Sequence, residues 1–191
     1  MKTQKELKQI YSDILASEVW KGDSKMVDFC LKEAAYIVEL ENGDIVVIEK
    51  PRIETRFCFG YSDSRYDTED YDRANAMADR AAKDQEYFIK ENLSDIDRTI
   101  AQMEETETSC YKYRLRVKYT GSPKDSKLKS LDAYRWSDEY AKQFPEISGA
   151  DLQRVIDGYK IVKADFEKRL NTYLKRYGMS KVKTWSYWQD A

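Results

Sequence analysis

Apolar residues recur at helical spacing from Thr3 to Trp20, at Leu7, Ile10, Tyr11, Ile14, Leu15 and Val19, and no Pro or Gly intervenes before Gly22. This spacing predicts an amphipathic first helix. A short helical turn is expected from Lys25 to Lys32 through Met26, Phe29 and Cys30. The runs AYIVEL and DIVVIEK then flank Glu41-Asn42-Gly43. Asn-Gly between two β-branched runs predicts a hairpin closed by a type I′ turn, because both residues tolerate positive φ. Pro51 cannot donate to a sheet ladder, so it should end the second strand or start a third. Ile53, Thr55, Phe57, Phe59 and Tyr61 alternate with Glu54, Arg56 and Cys58, which predicts a strand over 53–61.

From about Thr68 to Asn92 the period changes to 3.6, with Ala74, Ala78, Ala81 and Ala82 along one side, so an Ala-rich central helix is expected. Ser94 and Asp97 fit a capping box, which predicts a restart of that helix near Leu93. CYKYRLRVKYT is the cleanest strand pattern: Tyr111, Tyr113, Leu115, Val117 and Tyr119 on one face, Lys112, Arg114, Arg116 and Lys118 on the other. GSPKDS reads as a turn and KLKSLDAYRW as a returning strand. Asp138 to Phe144 is a short helix stopped by Pro145. Ser148 or Asp151 then caps a long C-terminal helix carried by Leu152, Val155, Ile156, Phe166 and Leu170 and closed by Gly178. KVKTWSYW predicts a terminal strand. Strands and helices are segregated, which predicts one α+β domain over 1–191. Its sheet should be mainly antiparallel, with the N-terminal, central and C-terminal helices packed on one face.

Composition narrows the chemistry. The 191 residues include no histidine, which removes the usual general base near neutral pH and the commonest transition-metal ligand. Cys30, Cys58 and Cys110 form no CxxC pair, so neither a disulfide framework nor a zinc site is expected. No GxGxxG, GxxxxGK[ST] or GxSxG motif occurs. The expectation is therefore a non-enzymatic protein with no cofactor and no metal. No apolar run approaches the roughly 18 to 20 residues of a bilayer span, and the first residues, MKTQKELKQIYSD, are polar rather than signal-like. Neither a membrane partner nor a location other than the cytoplasm is expected.

The net charge of −2 conceals an asymmetry: residues 1–110 hold 15 Lys+Arg against 25 Asp+Glu, and residues 111–191 hold 18 against 10. Asp63, Asp67, Glu69, Asp70 and Asp72 follow the third predicted strand. Carboxylates there favour the first turns of a helix, and the segment lacks the Gly and the register of a calcium loop. Left exposed, they would form an acidic surface for a basic partner. The cations Lys112, Arg114, Arg116 and Lys118 offer the opposite reading, a nucleic-acid contact, since alternate positions on a strand lie about 6.7 Å apart. The tyrosines of that strand point away from the charge, whereas single-strand binders place stacking rings beside it. Trp185, Tyr187 and Trp188 sit close together in the C-terminal run and have the composition of an interface hot spot.

The strands IEKPRIETRFCFGYS and KVKTWSYWQDA, joined by charged, tyrosine-rich helices, resemble those of small accessory proteins of phages and other mobile elements. In size and character the chain is similar to anti-CRISPR proteins. That resemblance implies a protein partner, a nucleic-acid-handling protein such as a CRISPR nuclease, inhibited by surface complementarity with acidic side chains in sites meant for phosphates. Direct nucleic-acid binding through 111–119 is the alternative, and a carboxylate-metal enzyme the third reading.

Overall fold

The computed structural model describes residues 2–53, 85–105, 110–147 and 149–177. The chain divides into two compact units, one formed by Met1–Lys50 with Ile96–Ala164 and the other by Pro51–Asp95 with Asp165–Ala191. The α+β class read from the sequence is correct, with a four-stranded sheet and helices on either side of it in the chain.

The first unit begins with α1 (Gln4–Ile14), started by a capping box in which Thr3 and Glu6 exchange side-chain and backbone hydrogen bonds. Leu7, Tyr11 and Ile14 form its buried stripe. The helix then widens into a π-helical turn over Leu15–Val19, closed by Trp20 N–H donating to Leu15 O at 2.7 Å. Asp23 caps α2 (Ser24–Glu33) by accepting from Met26 N. Strands β1 (Ala34–Glu39) and β2 (Ile45–Glu49) pair antiparallel as expected.

The turn between them is different from the one expected. Gly43 alone takes positive φ, and Asn42 does not. Leu40 N–H donates to Asp44 O while Gly43 N–H donates to Leu40 O, a three-residue loop in which a left-handed Gly forms the bulge. Asn42 instead spends its side chain on Asp44 N–H. The carboxylate expected to cap the long helix also acts elsewhere. Asp151 lies inside the first turn of that helix and accepts from Glu41 N–H of the hairpin loop and from Arg154. Ser148 and Gly178 lie outside the described residues.

Strands β3 (Tyr111–Val117) and β4 (Leu128–Arg135) pair antiparallel along their whole length, from Tyr111 opposite Arg135 to Val117 opposite Lys129. The sheet order is β1-β2-β4-β3, and the β2–β4 junction, Ile45 beside Leu128, is parallel. The sheet is thus mixed, mostly antiparallel. Helix α3 is described over Gln85–Glu104 and runs through Ser94 without a restart. Ser94 hydroxyl donates to Glu91 O instead of accepting a capping N–H. Residues 54–84, which hold the expected third strand and the Ala-rich stretch, and the expected terminal strand lie outside the described residues.

Helix α4 (Gly149–Tyr177) and the first two helices pack on opposite faces of the sheet, not on one. Leu7, Tyr11, Leu15 and Val27 form one core layer with Ile37, Ile45, Val47 and Leu128. On the other face Gly158 of α4 sits against Val38, Ile48 and Tyr36, so close that a Cβ there would lie 2.9 Å from the first two. A strand pair with alternating apolar residues on both faces has to be covered twice. Both edges of the sheet are also occupied. On β1 the Gln4 carboxamide accepts from Ile37 N–H and donates to Ile37 O. On β3 the segment 145–147 is hydrogen-bonded through Leu115 N–H to Pro145 O and Ile147 N–H to Tyr113 O. Such coverage blunts edge-to-edge association.

In the second unit, Phe88 stacks on Tyr173 at 6.0 Å, and Leu93, Phe166, Leu170 and Leu174 are buried.

Candidate functional site

Lys112, Arg114 and Arg116 of β3 lie on one face as their alternation requires, Lys118 follows just past the strand's end, and the chain surrounds them with carboxylates. Pairing of Arg114 with Glu146 on the edge segment puts the Glu146 side chain on the cationic face. It lies 3.5 Å from both Lys112 Nζ and Arg114 Nη2. Across the ladder Arg114 faces Asp132, whose carboxylate is 3.6 Å from Arg116 Nη1. Lys118 pairs with Glu49 of β2 at 2.8 Å. Arg114 also donates to Phe144 O at 2.7 Å and Arg116 to the Tyr134 hydroxyl at 3.0 Å. The Tyr134 contact, ahead of the Asp132 charge, holds the Arg116 guanidinium still more firmly in its charged form.

The same face carries aromatic rings that the alternation of β3 could not show. Tyr134 stands opposite Lys112 and stacks on Phe144 at 6.0 Å. Arg116 lies over the Phe144 ring at 5.2 Å, and Tyr140 meets that ring edge-on at 5.4 Å. Tyr140 is set by a tight turn over Tyr140–Gln143, in which Asp138 accepts from Tyr140 and Ala141 N–H and buried Ala141 anchors the turn. Trp136 follows Tyr134 by two residues, and its N–H still reaches Cys110 O, so the ladder continues past β4. Tyr140 is 60% exposed and Trp136 65% exposed. Two large exposed aromatics thus flank a stack of Tyr134, Phe144 and Arg116 whose members hold one another in place. The strand's own Tyr113 is buried, as expected for the other face, and the rings beside the cations come from β4 and the turn.

Asp63, Asp67, Glu69, Asp70 and Asp72, and the aromatic trio Trp185, Tyr187 and Trp188, lie outside the described residues. Among the described residues no group of three or more Cys, Asp or Glu is arranged to hold a metal ion, and no helix is long and apolar enough to cross a membrane. A groove of about 260 Å³ runs along β1 beside Leu7, Tyr36, Val38 and Ile161. Its rim groups Lys2, Glu39, Gln4 and Arg154 are all engaged within the chain.

Comparison with protein-family models, curated proteins and solved structures finds no match to this chain. The functional reading therefore rests on the face itself.

Proposed function

We propose that the chain is a protein-binding module that acts by binding rather than catalysis, and that the outer face of β3 and β4 is its contact surface. The observation that carries this is the exposure of Trp136 and Tyr140 beside a pre-arranged Arg116–Phe144–Tyr134 stack. Trp, Tyr and Arg are the residue types on which interface energy concentrates, and rings already held in place lose little entropy on docking. Three carboxylates interleaved with the cations, Glu146, Asp132 and Glu49, favour a protein over a nucleic-acid strand. A backbone with a phosphate at every step would meet them in repulsion. An inhibitor of a nucleic-acid-handling protein is the narrower form of this reading. Its support is the acidic segment 63–72 of the sequence.

The test is affinity capture with the immobilised full chain from nuclease-treated extracts of the source cells. A specific protein should be retained by the native chain, and the Trp136→Ala/Tyr140→Ala variant should weaken that binding by at least about 30-fold, the effect of losing one hot-spot residue. Equal retention by the folded double variant, or retention of nucleic acid that falls steeply with salt, contradicts the proposal.

A further inference from the structure

We infer that the partner presents an acidic segment to this face, with a carboxylate taken by the outward donors of Arg116 or Lys112 and an apolar side chain against Trp136 and Tyr140. The inference rests on the protein-binding reading and adds the partner's chemistry. Charge-assisted N–H···O contacts close to about 2.7–2.9 Å, yet the carboxylates nearest Lys112, Arg114 and Arg116 stand off at 3.5, 3.5 and 3.6 Å. Glu146 is shared between two of these cations. The hydrogen bonds these three side chains do make are Arg114 to Phe144 O and Arg116 to the Tyr134 hydroxyl. A guanidinium has five donors and an ammonium three, so most donors of these three side chains hold no hydrogen-bond acceptor among the described residues.

Access differs among the three. The Arg114 side chain is 15% exposed and braced inward, while Lys112 and Arg116 are 39% and 40% exposed. Those two therefore offer donors to an incoming carboxylate, and Arg116 does so with its plane fixed by Phe144 and Tyr134. A peptide can place a single carboxylate at either donor group and no charge at the position between them, where Asp132 faces Arg114. A polyphosphate strand cannot choose its spacing in this way.

The experiment is selection of a random peptide library displayed on phage against the immobilised full chain, read by sequencing. The native chain should enrich peptides that combine Asp or Glu with aromatic or aliphatic residues. Arg116→Gln should lower the enrichment of acidic over neutral peptides about tenfold while apolar enrichment persists, Arg116→Lys should restore part of it, and Trp136→Ala should abolish both. Enrichment that needs Trp136 but shows no acidic bias, or an acidic bias unchanged in Arg116→Gln, overturns the inference and leaves the protein-binding reading standing. Enrichment indifferent to Trp136, no enrichment at all, or displacement of the selected peptides by an oligonucleotide at low salt overturns both.

Discussion

Gly158→Leu is expected to destabilise the first unit by about 3 kcal/mol, the upper end of ordinary overpacking costs. Even a Cβ at position 158 would lie 2.9 Å from Ile48 Cδ1 and Val38 Cγ2 and 3.2 Å from Tyr36 Cδ1. Glycine inside a helix costs about 1 kcal/mol relative to alanine. Its presence in the middle of α4 is explained by the sheet, because only a residue without a side chain lets the helix axis approach β1 and β2 this closely. Gly158→Ala gains that propensity and loses a comparable amount to the contact with Ile48 and Val38, so it should fall within about 1 kcal/mol of the native chain. Urea unfolding followed by circular dichroism separates the two variants. A leucine variant as stable as the native chain would show that α4 does not seat on that face.

Stability should also fall steeply in alkali, and Tyr11 should account for the largest single share. Burial pushes the phenols of Tyr11, Tyr113, Tyr119 and Tyr159 above their ordinary range, Tyr11 furthest. After burial, the next cause at Tyr11 is the neighbouring Tyr119 hydroxyl. A raised folded-state value means the stabilisation is complete below the unfolded pKa of about 10 and is lost as pH climbs from there toward the folded value. Each buried tyrosine therefore subtracts about 1.4 kcal/mol per pH unit in that window. Tyr11→Phe should leave stability at neutral pH within about 1 kcal/mol of the native chain and make the alkaline slope shallower by one proton. Unfolding free energies measured across the window check both. An unchanged slope in Tyr11→Phe would mean that Tyr11 ionises as readily folded as unfolded.

Element types were legible in the sequence wherever one segment carried its own periodicity. Leu7, Tyr11 and Ile14 announced α1, and Tyr113 and Leu115 announced the buried face of β3. What the sequence hid were relations between segments. The parallel contact of Ile45 with Leu128 joins residues far apart in the chain, and nothing in either strand's alternation specifies that neighbour. Asn42-Gly43 signalled a turn correctly, but turn type depends on which residues close the ladder, here Leu40 and Asp44. Asp151 looked like a cap because caps are local, and its carboxylate also reaches Glu41 N–H on the hairpin and Arg154.

The candidate site was legible only in half. Lys112, Arg114 and Arg116 could be placed on one face by counting in twos, and that count also placed the strand's own tyrosines on the opposite face. Tyr134, Tyr140 and Phe144 belong to later segments, and they reach the cations through the β3–β4 register and the turn capped by Asp138. The counter-ions were equally non-local, since Glu146 is brought in by the edge segment and Glu49 by β2. A strand read alone therefore allowed that its cations pair with acids of neighbouring strands but could not name them, and the assembled sheet presents a near-neutral, ring-bearing face.

The most direct test of that face as a protein-binding surface is photo-cross-linking from position 140, with benzoylphenylalanine in place of Tyr140 in the full chain, irradiated in the source cells. The account predicts a discrete protein adduct that disappears when Trp136 is also changed to alanine and is not formed by the same probe at the exposed Lys5 of α1. No protein adduct, an adduct with nucleic acid alone, or the same adduct from positions 5 and 140 would contradict it.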